Sequence, residues 1–95
     1  MSLKAQIRWL TKEQGGRQTG LPYGDKYAPI VVVGKQFSLS EETWSLFVTN
    51  KEILSNHETI AEVKYLSAKA PNNLRKDVEF ELYEGSKMVA KGIIL

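Results

Sequence analysis

The chain has 95 residues, 42% of them hydrophobic and 25% charged, a balance that fits one folded domain and excludes both a disordered segment and a pair of domains. Thirteen basic residues face eleven acidic ones, a net charge of +2, too little for a polycation that coats nucleic acid by charge alone. With no cysteine and a single histidine, disulfides, thiolate chemistry and multi-histidine metal sites are excluded, and neither metal nor cofactor is expected.

The opening residues Met1–Leu10 include Lys4 and Arg8 and lack the apolar core of a secretory signal. The longest apolar stretch, Ile30–Val33, falls far short of the roughly 20 residues that span a bilayer. The expectation is a soluble protein without membrane contact, and the absence of cysteine fits a cytoplasmic one. Charge is uneven: residues 1–40 carry six basic and two acidic side chains, residues 41–62 carry one and five. An anionic partner at the N-terminal part and a solvated surface of mixed sign both account for this.

In chain order, Ala5, Ile7 and Trp9 alternate with Lys4, Gln6 and Arg8, which predicts a half-buried strand ending near Lys12. Glu13–Lys26 contains Gly15, Gly16, Gly20, Pro22 and Gly24 and reads as a loop. Ile30–Val33 is a β-branched run with Pro29 at its entry, favouring a buried strand. Next comes a segment with two readings. Trp44, Leu46 and Val48 alternate as in a strand, while Ser38–Glu41 resembles a capping box and Trp44, Phe47 and Val48 have helical spacing. Residues Ser55–Tyr65 carry the same ambiguity, with Ala61, Val63 and Tyr65 as the strand face. Asn50–Asn56 and Ala70–Asn73 read as turns. Finally Val78, Phe80 and Leu82 alternate with polar residues, and Gly85-Ser86 separates them from Lys87–Leu95 as a tight hairpin. Several short strands joined by turns predict an all-β domain over residues 1–95, a closed barrel or a sandwich.

Two segments carry a family resemblance. The first is Leu10-Thr11-Lys12-Glu13-Gln14-Gly15-Gly16-Arg17-Gln18-Thr19, with Tyr23-Gly24 and Pro29 after it; the second is Pro71 followed by Phe80–Gly92. Together, in this order and at the two ends of a domain of this length, they resemble the C-terminal (third) β-barrel domain of translation elongation factor Tu. The resemblance implies a small antiparallel closed β-barrel and resolves the middle segments as strands. It also implies a non-enzymatic, stand-alone binding module, because in that family nucleotide chemistry belongs to a separate domain. No phosphate-binding Gly-x-x-x-x-Gly-Lys-(Ser/Thr) loop occurs here. Asn50-Lys51-Glu52-Ile53 imitates a guanine-reading motif but has Ile53 where a carboxylate is needed, and reads as a turn.

The family's barrel helps hold the T-stem of aminoacyl-tRNA and packs against its neighbour domains and exchange factor. By position the resemblance assigns an RNA- or anion-binding set of Gly15, Gly16, Arg17, Gln18, Lys69, Gly85 and Lys87, in which Arg17 offers paired donors to phosphate. Several positions depart from the pattern: Gln18 replaces a histidine, Ile30 a glutamine, Ala70 a lysine (Lys69 lies one place away), and Ser86-Lys87 a Gly-Arg. Losing polar groups at Ile30 and Ala70 tilts the expected partner toward protein rather than tRNA-like RNA. Tyr23 and Tyr27 would supply stacking faces for RNA. Trp9 and Trp44 are expected in the core, with Phe37 and Phe47 on the opposite face. A competing account is a small hydrolase using Glu79, Glu81 or His57; against it, Glu79 and Glu81 read as an outward polar face and His57 as a solvated turn imidazole.

Overall fold

The inward residues of the first strand, β1 (Leu3–Trp9), are Ala5, Ile7 and Trp9, all buried, while Lys4 and Arg8 are exposed. The period-two pattern is therefore a true face. The computed structural model describes residues 3–16, 21–22, 24, 26–33, 44–70 and 73–95. After β1 come a short 3-10 turn (Lys12–Gln14), β2 (Ile30–Val33), β3 (Trp44–Ser55), β4 (Glu58–Tyr65), β5 (Glu79–Glu84) and β6 (Lys87–Ile94). The strands close into an antiparallel barrel in the order β1-β4-β3-β2-β5-β6. Closure gives each strand two neighbours, with β1 sealed against β4 on one side and β6 on the other. Among the described residues, no helix is long and apolar enough to cross a membrane.

The barrel is too narrow for a lumen, and side chains fill it. Ile7, Leu46, Val48, Val63, Phe80, Leu82, Val89 and Ile94 are all essentially inaccessible. Phe80 faces Gly92 across the β5–β6 ladder, and a Cβ on Gly92 would lie 2.3 Å from the Phe80 ring. That glycine makes room for the aromatic ring.

The middle of the chain is strand, as the barrel resemblance implies. Leu46 and Val48 pack inward beside Ala61 and Val63. The turn expected over Asn50–Asn56 is corrected: β3 continues to Ser55, and the reversal is confined to Asn56-His57. The same correction applies to Asn50–Ile53, which is strand and not a turn. Register shifts between Asn50 and Glu52 and between Ile53 and Ser55 interrupt the alternation, so a bulged strand imitates a loop in the sequence. A second correction concerns the end of β1, expected near Lys12. The strand stops at Trp9 because Thr11 caps the 3-10 turn: its hydroxyl accepts from the Gln14 amide at 3.3 Å and the Gln14 side chain accepts from the Thr11 amide at 2.9 Å. The expected capping box at Ser38–Glu41, and Phe37, lie outside the described residues, as do Pro71 and Asn72. The Gly85-Ser86 hairpin and the Ile30–Val33 strand are where the sequence places them.

Candidate binding surface

The antiparallel register decides which loops meet. Trp9 lies opposite Ala90 of β6, and Arg8 lies opposite Glu58 of β4. The end of β1, the Asn56-His57 turn and the Gly85-Ser86 turn thus share one end of the barrel, here the upper rim. Two backbone bonds pin this arrangement: the Trp9 amide donates to the His57 carbonyl at 2.7 Å, and the Leu10 amide to the Val89 carbonyl at 2.9 Å. Gly15 and Gly16 follow on the same rim. Gly15 has φ +86°, the left-handed region that costs an ordinary residue about 1–2 kcal/mol. Gly16 is buried so closely against Leu10 that a Cβ would sit 2.1 Å from the Leu10 carbonyl oxygen. The loop is thus folded back on β1.

Of the expected anion-binding set, Gly15, Gly16, Gly85 and Lys87 are gathered at this rim. Arg17 and Gln18 lie outside the described residues. Lys69 follows Tyr65, the far end of β4, and stands at the opposite end of the barrel. It is not gathered with Gly15, Gly16, Gly85 and Lys87. Tyr23 is outside the described residues, whereas Tyr27 is half-buried, with its ring 5.9 Å from that of Trp9 and its hydroxyl donating to Glu84. It is structural and not a free stacking face.

A side-chain relay fixes the mouth. The Trp9 indole N–H donates to Thr59 Oγ1 at 2.9 Å, the Thr59 hydroxyl to Asn50 Oδ1 at 2.7 Å, and Asn50 Nδ2 to the Pro22 carbonyl at 2.8 Å. The relay ties β1, β4 and β3 to the long β1–β2 connection. Above it, β3 carries two features that sequence reasoning missed. Ile53 is 68% exposed and Leu54 is 48% exposed. Ile53 pairs with Thr59 in the β3–β4 ladder, yet its side chain stands in solvent while Thr59 is buried. The available signal was an apolar pair inside an otherwise polar segment beside a turn. Rim charges are of mixed sign: Lys12, Lys26, Lys51 and Lys87 stand with Glu13, Glu52 and Glu84.

Of the groups in the hydrolytic account, Glu79 and Glu81 share one face of β5 and His57 lies apart from them. His57 is exposed in the upper turn, while Glu79 begins β5 near the lower end. Register sets Glu58, Arg8, Lys91 and Glu81 in one row across four strands of the outer wall. Arg8 Nη2 is 3.5 Å from Glu58 Oε1, and Arg8 is 72% exposed, so the contact is solvated and weak. An open groove lined by Gln6, Arg8, Glu58, Glu79 and Lys91 runs along this wall. Glu81 accepts from the Tyr83 hydroxyl at 3.1 Å. Burial, and then the Glu81 carboxylate, push the Tyr83 phenol above its ordinary value. Among the described residues no cluster of histidine, aspartate and glutamate is arranged to hold a metal. No family model matches the chain, and no curated protein matches it.

Proposed function

We propose that the chain is a non-enzymatic, stand-alone cytoplasmic binding module, built like the C-terminal barrel of elongation factor Tu, which engages a partner protein at its upper rim. The observation that carries this reading is the pair Ile53 and Leu54, large apolar side chains held in solvent on the upper part of β3. Apolar anchors with a rim of mixed charge are the composition of a protein interface. Mixed charge suits a phosphate backbone poorly, since neutralising phosphates needs a surplus of cations.

The test places a photo-crosslinking amino acid at position 53, at the rim, or at position 66, where exposed Leu66 follows the lower end of β4. The reading expects one discrete protein adduct from position 53 that is competed by unlabelled protein but not by its Ile53→Glu variant. Equal labelling from both positions overturns it. One observation favours a second reading: the Gly15-Gly16 turn and the Gly85 turn share the rim. RNA binding there predicts tRNA affinity that falls steeply with salt and is lost with Arg17→Ala. No binding at low salt removes that version.

A further inference from the structure

The side of β3 away from β4 is paired only in part. β2 covers Trp44 and Ser45. The extended segment before β2 continues the sheet, its Pro29 and Tyr27 carbonyls accepting from the Leu46 amide at 3.0 Å and the Val48 amide at 2.9 Å. At Asn50 a side-chain bond to the Pro22 carbonyl replaces the ladder. From Lys51 to Ser55 no backbone group on this side has a partner among the described residues, and all of these side chains are exposed. A short strand edge therefore stands open directly in line with Tyr27–Pro29.

We propose that this edge is completed by strand addition: an extended segment of a partner protein pairs with Lys51–Ser55, taking up the line that Tyr27–Pro29 leaves. The proposal rests on the protein-binding reading and specifies its mode. The chemistry of the incoming strand follows from the edge. The bonds at Leu46 and Val48 set Lys26 alongside Thr49, so Lys26 and Lys51 flank the point where the new strand begins. Both are exposed and neither has an ion pair among the described residues. An acidic side chain belongs at that end, and an apolar one beside Ile53. A second copy of this chain fits poorly. Its own edge repeats both lysines and offers only Glu52 in return, and a bulged strand with a lysine on it is a guard against self-pairing. Strand addition to an exposed edge takes affinity from the main chain and selectivity from alternate side chains.

The experiment selects short random peptides against the intact protein and measures amide hydrogen exchange with a selected peptide bound. The proposal expects peptides with an acidic residue followed by alternating apolar ones, and slowed exchange at the amides of Lys51–Ser55 that point away from β4. It expects roughly tenfold weaker binding by Ile53→Glu. The double variant Lys26→Glu/Lys51→Glu should bind roughly fivefold more weakly and shift the selected peptides toward basic residues. Binding that depends on Ile53 without slowed exchange at the edge overturns strand addition while leaving the rim reading intact. Peptides indifferent to Ile53→Glu overturn both. A dimer of the free protein that Ile53→Glu dissolves assigns the edge to a second copy and overturns the partner strand.

Discussion

The indole N–H of Trp9 donates to the hydroxyl of Thr59 at 2.9 Å, inside the mouth of the barrel, across the β1–β4 ladder. Thr59 is wholly buried, the one polar side chain among the fully buried residues described. Its hydroxyl has two roles, accepting from Trp9 and donating to Asn50. Thr59→Val keeps the shape but leaves the indole N–H and the Asn50 oxygen without this partner, and is expected to cost about 1–3 kcal/mol. Thr59→Ser retains the hydroxyl and is expected to lose less. Urea unfolding followed by tryptophan fluorescence measures both, and equal stabilities for valine and wild type would remove the relay from the account of the mouth.

Gly92→Ala sets a methyl group against the Phe80 ring at a distance no real Cβ contact adopts. The ring is enclosed by the core and has nowhere to retreat, so a loss of about 1–3 kcal/mol is expected from overpacking. Phe80→Leu combined with Gly92→Ala should be less destabilised than the sum of the two single changes, because the smaller side chain vacates the clash. A double-mutant cycle by thermal or denaturant unfolding gives the coupling.

Ile53→Ala and Leu54→Ala are expected to leave folding stability within about 0.5 kcal/mol of wild type, since both side chains stand in solvent. Any loss of partner binding by these variants then reports on the interface and not on the barrel. A marked fall in melting temperature would mean that the two residues serve the fold.

Alkaline pH tests the tyrosines. Burial raises Tyr83 above its ordinary 10.0, with Glu81 adding to it through a hydrogen bond and its charge. Burial also raises Tyr65, partly countered by its bond to Asn73. In both cases the folded protein holds the phenolic proton more tightly than the unfolded chain does. The resulting stability is whole below pH 10 and declines as pH rises from there through the raised folded values. The phenolate absorbance of Tyr65 and Tyr83 should therefore rise at higher pH than in the unfolded chain, and Tyr83→Phe should flatten the loss of stability above pH 10. An unchanged slope in Tyr83→Phe would contradict this account.

Much of the architecture is legible in the residues. Ala5, Ile7 and Trp9, and later Phe80 and Leu82, alternate cleanly because each strand buries one face, and Gly85-Ser86 marks its turn through local backbone preference. These are short-range signals, and the sequence by itself was enough to determine them. Trp44–Ser55 is less legible: Trp44, Phe47 and Val48 also fit helical spacing, and two bulges after Asn50 break the period that identifies a strand.

Only the tertiary structure decided which residues share a surface. Lys69 and Gly85 look equally eligible along the chain, yet antiparallel pairing sends them to opposite ends. The exposure of Ile53 and the open edge beside it likewise depend on where β2 and the Tyr27–Pro29 segment stop covering β3. Alternation is a property of each strand's own pleat, whereas register, closure and the ends of ladders depend on contacts between residues distant in the chain, and no local pattern encodes those.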